Sequence, residues 1–263
     1  MNSDSRQIHR DIARRFSAAA DGYDRHAQLQ RDAATRLAAM IPVDRAERIL
    51  DLGCGTGVLT AELSRRWPAA EITAIDGAPG MVEAMKRKLP RVHSYVADIS
   101  CLARNPVFDL VTSNCALHWV APFTIGIRCV ADQTRPRGVT AISLMLDGTL
   151  RELHEIRREI APQKIPAGRM PAFEDVAAAL GSAGFESVDA TAQMTTVIFP
   201  SPKEFFSSLR AQGLTAGHLA RSVLPLTRSE IVRLEATYGE RFATAGGVVA
   251  SYRIGYFVAV KHP

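Results

Sequence analysis

The stretch "RILDLGCGTGVLTAEL", from Arg48 to Leu63, is the most informative part of this chain for predicting its architecture. A short β-rich run ends in Gly53, Gly55 and Gly57, and a segment with helical spacing follows and stops at Pro68. The pattern predicts a strand, a tight glycine loop and a helix. Such a loop exposes backbone N–H groups at the start of a helix, where they can bind a nucleotide-like ligand.

The spacing of the glycines narrows the choice of ligand. A dinucleotide-binding loop usually reads G-x-G-x-x-G, whereas this loop reads G-x-G-x-G and continues with Val58. No Gly-Lys-Ser or Gly-Lys-Thr follows, which excludes a phosphate-binding P-loop. The loop therefore indicates a ligand that carries no pyrophosphate and lies flat against the backbone.

Three aspartates stand at the ends of predicted strands. Asp51 precedes the glycines, where it can meet an ammonium group, directly or through water, or fix the loop by accepting hydrogen bonds from its backbone. Asp76 ends the second strand about twenty residues after the glycines, where a carboxylate binds ribose hydroxyls. Asp98, followed by Ile99, ends the third strand and is placed to meet the exocyclic amine of an adenine. An adenosine with an amino-acid tail and no phosphate is S-adenosylmethionine.

The rest of the chain predicts an α/β fold. The predicted strands "EITAID", "RVHSYVAD", "FDLVTSN" and "RGVTAISL" are separated by helical or polar segments, which is typical of a parallel, doubly wound sheet. Residues 6–40 predict two helices that break near Asp21-Gly22. Residues 148–182 predict helices around a polar loop, and residues 202–245 are mostly helical. "VDATAQMTTVIF" predicts a strand, and "GVVASYRIGYFVAVKH" a helix that continues into a strand.

Composition and charge bound the class of protein. Of 263 residues, 47% are hydrophobic and 22% charged, as in a globular protein with one core and an elaboration. No apolar run approaches the ~20 residues that cross a bilayer, and the polar N-terminus lacks a signal-peptide core, so we expect a cytoplasmic protein with no membrane partner. The four cysteines form no C-x-x-C pair, so no metal site is expected. The net charge of +5 is mild and scattered, and we expect no nucleic-acid partner.

The motifs "ILDLGCGTG", "ITAIDGAPGM", "VAD" and "FDLVTSNCALHW", in this order, resemble those of the class I S-adenosylmethionine-dependent methyltransferases. The alternative is a misread nicotinamide-binding fold. The resemblance implies S-adenosyl-L-methionine as cofactor, S-adenosyl-L-homocysteine as product, and a doubly wound Rossmann-like, mostly parallel sheet with N-terminal helices and a C-terminal helical cap insertion. The predicted cofactor-binding residues are Asp51, Gly53, Cys54, Gly55, Gly57, Asp76, Gly77, Met81, Asp98, Ile99 and Asn114.

Softer motifs run nearly from end to end. "ARRFSAAADGYDRHAQLQRDAATRL", "GTLRELHEIRREI", "SPKEFFSSLRAQGLTAG" and "LTRSEIVRLEATY" resemble segments of the malonyl-acyl-carrier-protein O-methyltransferases of biotin synthesis. The resemblance implies one methyltransferase domain, residues 1–263, with an N-terminal helical lid (1–45), a cofactor-binding core (46–147), a substrate cap region (148–245) and a closing segment (246–263). His118 departs from the family pattern, which has glutamine there.

The resemblance also implies the reaction, the methylation of the free carboxylate of a malonyl thioester. A carboxylate is ionised at neutral pH, so no general base is needed, and the enzyme positions the reactants. Three residues are predicted on the acceptor side of the site. Arg169 would grip the acceptor carboxylate, since the family has an arginine in a comparable loop; the alternative is a surface arginine. Tyr23 would donate to the same carboxylate or pack in the core. His118 would contact the cofactor or the substrate, or only form a hydrogen bond behind them. Trp119 beside it would be a lid over the cofactor or a packed aromatic residue.

The expected partner is an acyl carrier protein that carries a malonyl thioester, or malonyl-coenzyme A. Such carriers are typically acidic, and Arg210, His218, Arg221 and Arg228 could form a docking surface or only solvated helix faces. Two other functions remain open from the sequence. One is methylation of another small carboxylic acid or of a quinone precursor, and the other is a non-catalytic module that binds S-adenosylmethionine and regulates a partner.

Overall fold

A computed structural model describes residues 3–105, 107–166, 168–214 and 224–263 of the chain. The strands in this part of the chain are β1 (Arg48–Leu52), β2 (Glu71–Asp76), β3 (His93–Val96), β4 (Phe108–Asn114), β5 (Thr134–Met145), β6 (Phe185–Phe199), β7 (Ala243–Thr244) and β8 (Gly247–Lys261). The α-helices there are α1 (Ser3–His26), α2 (Gln28–Met40), α3 (Val58–Arg66), α4 (Pro79–Lys88), α5 (Phe123–Gln133), α6 (Arg151–Ile160), α7 (Phe173–Ser182), α8 (Pro202–Ala211) and α9 (Arg228–Arg241).

The strands form one sheet in the order β3-β2-β1-β4-β5-β8-β6, and β7 pairs with β8. The five strands from β3 to β5 run parallel, while β8 runs antiparallel to both of its long neighbours, β5 and β6. Helices α3, α4 and α5 lie in the connections β1–β2, β2–β3 and β4–β5, and the connection β3–β4 contains the short 3₁₀ turn Ile99–Cys101. The predicted fold class, a doubly wound and mostly parallel α/β sheet, is confirmed.

The register of the central strands places the predicted site residues at one edge. Asp51 on β1 lies opposite Ala74 on β2 and Thr112 on β4, so the carboxyl ends of these strands come together. In open parallel sheets this edge forms the ligand crevice where the strand order reverses. Here the reversal lies between β1 and β4.

The predicted break near Asp21-Gly22 is wrong. Helix α1 continues through both residues, and the chain leaves helical geometry at Ala27, with φ −96° and ψ 32°. Asp21 is exposed and accepts a hydrogen bond from Arg87 Nη2 of α4 at 2.7 Å. Packing of α1 along α4 therefore outweighs the low helix propensity of the pair.

The predicted helix at the start of "GVVASYRIGYFVAVKH" is also wrong, because Gly247–Lys261 is strand throughout. Strand β8 lies between β5 and β6 and is buried on both faces over much of its length. A strand covered on both sides carries a near-continuous apolar run instead of a clean alternation, and such a run also fits a helix.

Hydrophobic clusters cover both faces of the sheet. On one face Leu37, Leu63 and Tyr238 belong to one buried cluster, in which Phe205 of α8 stacks on Tyr238 of α9 with ring centroids 5.0 Å apart. On the other face, α5 and α7 pack over the strands, and Phe173 stacks on Phe257 at 4.8 Å. The division of the chain into lid, core, cap and closing segment stays a prediction.

Candidate functional site

A cavity of about 510 Å³ opens at the carboxyl edge of the parallel strands. Its volume lies in the range of pockets for small molecules and cofactors. All the predicted cofactor-binding residues except Gly57 line it, namely Asp51, Gly53, Cys54, Gly55, Asp76, Gly77, Met81, Asp98, Ile99 and Asn114. Sequence motifs that lie far apart in the chain therefore meet around one volume.

The glycine loop owes its shape to left-handed backbone conformations. Gly53 has φ +69° and Gly55 has φ +55°, values that side chains disfavour. A Cβ on Gly53 would lie 2.4 Å from Cβ of Ala116, whereas a Cβ on Gly55 would meet no atom within 4 Å. Gly57 faces away from the cavity, because its Cβ would lie 2.5 Å from Cγ of Met85 in α4. Gly57 thus lets the loop pack on α4.

Asp76 connects the end of β2 to the glycine loop. Its Oδ2 accepts a hydrogen bond from the backbone N–H of Gly55 at 2.9 Å, and its Oδ1 accepts one from Ala78 at 2.8 Å. Burial raises the pKa of Asp76, and the two hydrogen bonds oppose that rise. The loop-fixing role considered for Asp51 belongs to Asp76 in this structure.

Asp51 is buried beneath the loop with two hydroxyl partners. Its Oδ2 accepts from Thr60 Oγ1 at 2.6 Å and its Oδ1 from Thr112 Oγ1 at 3.2 Å. Burial raises the pKa of Asp51 to about 6, although both hydrogen bonds favour the ionised form. The cavity therefore contains a carboxylate that ionises near neutral pH.

Asp98 lines the cavity and begins the short 3₁₀ turn Ile99–Cys101. Its Oδ1 accepts from the backbone N–H and the hydroxyl of Ser100, at 2.8 and 2.7 Å. His9 Nδ1 of α1 lies 3.2 Å from Oδ2. The hydrogen bond with His9 is the largest cause that lowers the pKa of Asp98 to about 2, and Ser100 adds to it. Asp98 is therefore ionised at neutral pH.

Helix α1 supplies a cavity wall of which the sequence motifs predict only Tyr23. His9, Ile12, Phe16 and Tyr23 line the cavity from one side of the helix. The Phe16 ring packs edge-on against Trp119, with centroids 5.5 Å apart, and lies 6.3 Å from the Tyr23 ring. Burial is the main cause that raises the pKa of Tyr23, so its hydroxyl keeps its hydrogen. The helical spacing of these residues was the available signal.

Polar contacts hold α1 and α2 over the loop. Thr56 Oγ1 donates to Asp24 Oδ1 at 2.6 Å, and Lys88 of α4 pairs with the same carboxylate. Asn114 Nδ2 donates to the backbone carbonyl of Gln30 in α2 at 3.0 Å. These bonds close the N-terminal helices onto the cavity.

Two predicted acceptor-side residues do not line the cavity. His118 is buried behind it, where its Nδ1 accepts a hydrogen bond from the backbone N–H of Met145 at 3.3 Å, and its ring lies 5.4 Å from Trp119. Arg169 is exposed in the loop before α7. Their predicted roles, like those of the cofactor residues, stay predictions.

Of the basic residues considered for docking, Arg210 and Arg228 are exposed on α8 and α9. His218 and Arg221 lie outside the described residues. In the described part of the chain, no group of three or more His, Cys, Asp or Glu side chains is placed to hold a metal ion. None of its helices is long and apolar enough to cross a membrane.

Comparisons with known proteins agree on the class of enzyme. Residues 49–138 match a family model described as a methyltransferase domain. The malonyl-acyl-carrier-protein O-methyltransferase of Halorhodospira halophila is 32% identical over 261 residues, which cover 96% of this chain and 88% of the relative. Those of Geobacter sulfurreducens and Anoxybacillus flavithermus are 33% and 34% identical, and the alignments cover 96% and 92% of this chain and 98% and 93% of the relatives.

The chain belongs to the malonyl-acyl-carrier-protein O-methyltransferase family. Solved structures agree in fold. The YcgJ protein of Bacillus subtilis gives a TM-score of 0.62 at 12% identity, covering 88% of this chain and 99% of that one. Phosphoethanolamine N-methyltransferase 2 of Haemonchus contortus, solved with S-adenosyl-L-methionine, gives a TM-score of 0.58 at 15% identity. The match covers 94% of this chain and 57% of that one. At these identities the likeness shows the class I Rossmann-like fold of the family and nothing about its acceptors.

Proposed function

We propose that this protein transfers a methyl group from S-adenosyl-L-methionine to the free carboxylate of malonyl-acyl carrier protein. The product is the malonyl methyl ester that begins pimeloyl assembly in biotin synthesis. The observation that carries the proposal is the convergence of the glycine loop with three carboxylates on one cavity, in a chain that belongs to this family. The alternatives, another carboxylic acid, a quinone precursor or a purely regulatory module, become outcomes of the test below.

The residues of the cavity fit the proposed cofactor. A Cβ on Gly55 would meet no protein atom within 4 Å, so the cavity is open where the ligand would lie against the backbone. Asp51, Asp76 and Asp98 present three carboxylates along the wall, suited in turn to an ammonium group, ribose hydroxyls and an adenine amine. The glycine loop continues with Val58 and carries no Gly-Lys-Ser or Gly-Lys-Thr, which suits a cofactor without phosphate.

Bound S-adenosyl-L-methionine supplies an electrophilic methyl group. The chain's own part is to bind, orient and exclude water. Asn114 lies at the end of β4 and fixes α2 through Gln30, while Phe16 and Trp119 pack together over the cavity. Alignment of the reacting groups at about 3 Å can contribute on the order of 7 kcal/mol to lowering the barrier.

On the acceptor side, Tyr23 offers a hydroxyl hydrogen in the cavity wall and donates it to the acceptor carboxylate. Arg169 grips the same carboxylate as the thioester enters, since a guanidinium binds carboxylates at fixed geometry. His118 acts from behind the wall by holding Trp119 and the end of β5 in place. No proton needs to leave the acceptor, because its carboxylate is ionised.

The acyl carrier protein is the proposed partner, with malonyl-coenzyme A as a smaller substitute. Arg210 and Arg228 belong to the proposed docking surface for this acidic protein. The proposal places the enzyme in the cytoplasm and includes no nucleic acid.

The test is an assay for transfer of one methyl group, in which mass spectrometry of the intact carrier protein detects the gain in mass. The purified chain is incubated with S-adenosyl-L-methionine and malonyl-acyl carrier protein, malonyl-coenzyme A or acetyl-acyl carrier protein. We expect a gain of one methyl on the malonyl thioesters only, because the acetyl group has no free carboxylate. Fragmentation should locate the methyl on the malonyl group.

Three results would change the conclusion. Transfer to a free acid or a quinone precursor, with none to either malonyl thioester, would move the protein to one of the alternative acceptors. Binding of S-adenosyl-L-homocysteine without transfer to any acceptor would favour the regulatory module. Methylation of the acetyl control would exclude the malonyl carboxylate as the site of reaction.

A further inference from the structure

A pair of side chains joins helix α1 to Asp98 in the wall of the cavity. His9 and Asp98 lie 89 residues apart in the chain, and His9 Nδ1 is 3.2 Å from Asp98 Oδ2. Both residues line the cavity. Only 14% of the His9 side chain is exposed, against 40% of the Asp98 side chain. The histidine is therefore the more buried partner of the pair.

The other oxygen of Asp98 is held by its own turn. Ser100 donates to Oδ1 from both its backbone N–H and its hydroxyl. An ionised carboxylate has about four lone-pair positions, and Ser100 and His9 use three of them. One position remains for a further donor. An acceptor group placed there would instead meet the charge of the carboxylate and be repelled.

His9 depends on this contact as much as Asp98 does. Because Asp98 is ionised and accepts, Nδ1 of His9 must carry a hydrogen. Nε2 is buried and has no hydrogen-bond partner among the described residues. Within that part of the chain, the bond to Asp98 is thus the polar contact that sets the plane of the ring. Withdrawal of α1 would break it and leave Asp98 held by Ser100 alone.

We propose that His9 is a positioning residue for the adenine of the cofactor: it holds Asp98 so that the remaining lone pair selects a purine with an exocyclic amine. This inference rests on the proposed function, because it needs the adenosyl group beside Asp98. It adds that the first helix takes part in recognition of the base. Closure of α1 and selection of adenine are then one event.

The test compares two ligands that differ at one group of the base. Calorimetry on the full chain measures binding of S-adenosylhomocysteine and of S-inosylhomocysteine, which carries an oxo group in place of the amine. The wild-type protein should prefer the adenosyl ligand by at least about a hundredfold. His9→Ala should weaken the adenosyl ligand about tenfold and reduce the preference to about tenfold or less. His9→Asn, which keeps a donor near the position of Nδ1, should restore most of the preference.

His26→Ala is the matched control, because His26 is an exposed histidine of the same helix and is not among the residues that line the cavity. It should leave the preference unchanged. If His9→Ala weakens both ligands by one factor and keeps the preference, His9 only packs α1 and the inference is overturned. Should His9→Ala fail to fold, His9→Leu fills the space of the ring and decides the question by the same ratio. If the wild-type protein binds neither ligand, the proposed function fails first and this inference with it.

Discussion

The backbone N–H of Gly55 donates to Oδ2 of Asp76 at 2.9 Å, so the glycine loop and the end of β2 hold each other in place. The second oxygen of the same carboxylate accepts from Ala78, at the start of α4. One side chain therefore fixes the loop and the next helix before any ligand enters. The cavity is organised in advance by the residue that is proposed to bind the ribose.

Asp76→Ala should weaken binding of S-adenosylhomocysteine by at least about a hundredfold, since charged hydrogen bonds contribute about 1.5–3 kcal/mol each. It should also lower the free energy of unfolding by about 1–3 kcal/mol, because two backbone N–H groups lose their acceptor. Calorimetry and urea unfolding measure the two effects.

Asp109→Ala is the matched control for Asp76→Ala. Asp109 Oδ2 accepts from the backbone N–H groups of Glu47 and Arg48, both at 2.8 Å, at the start of β1 and thus at the opposite edge of the sheet. Its loss should reduce stability to a similar extent and leave cofactor affinity within about twofold. Equal affinity for S-adenosylhomocysteine in both variants would show that Asp76 does not bind the ribose.

Comparing Gly53→Ala with Gly55→Ala separates the two ways in which a side chain in this loop can reduce stability, which are backbone strain and steric collision. Both residues have a left-handed backbone, which costs an alanine about 1–2 kcal/mol. Only at Gly53 would the new Cβ meet another atom, Cβ of Ala116 at 2.4 Å, and overpacking adds about 1–3 kcal/mol. Urea unfolding should therefore rank Gly53→Ala as the less stable variant. The reverse order would mean that the loop relaxes away from Ala116 at little cost.

Local sequence was enough to predict the loop and the carboxylates. The glycine pattern, together with the aspartates at strand ends, fixes both the local backbone and the edge of the sheet at which those residues meet. The structure brings Asp51, Asp76 and Asp98 to one cavity as expected. The spacing groups Gly57 with the ligand-binding glycines, yet Gly57 faces Met85, because spacing alone does not separate contact with a ligand from contact with a helix.

The contribution of α1 could not be predicted in the same way. Helical spacing shows which residues share a face, but His9 meets Asp98 only after the sheet has formed and α1 has packed on α4. Arg169 and His118 were predicted by resemblance to a family pattern. The positions of their side chains depend on long-range packing, which places His118 behind the wall and Arg169 on the surface.

Arg169→Ala should raise the KM for malonyl-acyl carrier protein about tenfold or more and leave the affinity for S-adenosylhomocysteine unchanged. Arg169→Lys should restore little, because an ammonium group cannot form the forked contact with a carboxylate. Arg158→Ala, which removes an exposed arginine of α6, is the control and should change neither quantity. If Arg169→Ala instead lowers the affinity for S-adenosylhomocysteine and leaves the KM for malonyl-acyl carrier protein unchanged, Arg169 contacts the cofactor and not the acceptor.

Asp51 should give cofactor binding a pH dependence centred near pH 6. Its pKa is about 6 in the folded protein, so the carboxylate is ionised above that pH and protonated below it. If only the ionised form attracts the ammonium group of the ligand, affinity for S-adenosylhomocysteine should fall about tenfold from pH 7 to pH 5. Binding at pH 5 should release a proton, which calorimetry in two buffers of different ionisation enthalpy detects.

Asp51→Asn separates this group from Asp76, whose pKa is also raised by burial. The variant should bind S-adenosylhomocysteine more weakly than the wild-type protein at pH 7. Its affinity should change little between pH 7 and pH 5. The pH dependence of the free energy of unfolding gives an independent check, because Asp51 should affect stability and ligand affinity in opposite directions as the pH rises. Because the folded pKa lies above the ordinary value of 3.8, the folded state holds the proton more tightly, and Asp51 makes stability fall as the pH rises from about 4 to about 6. Asp51→Asn should remove that fall; if the fall remains in full, another buried acid is responsible.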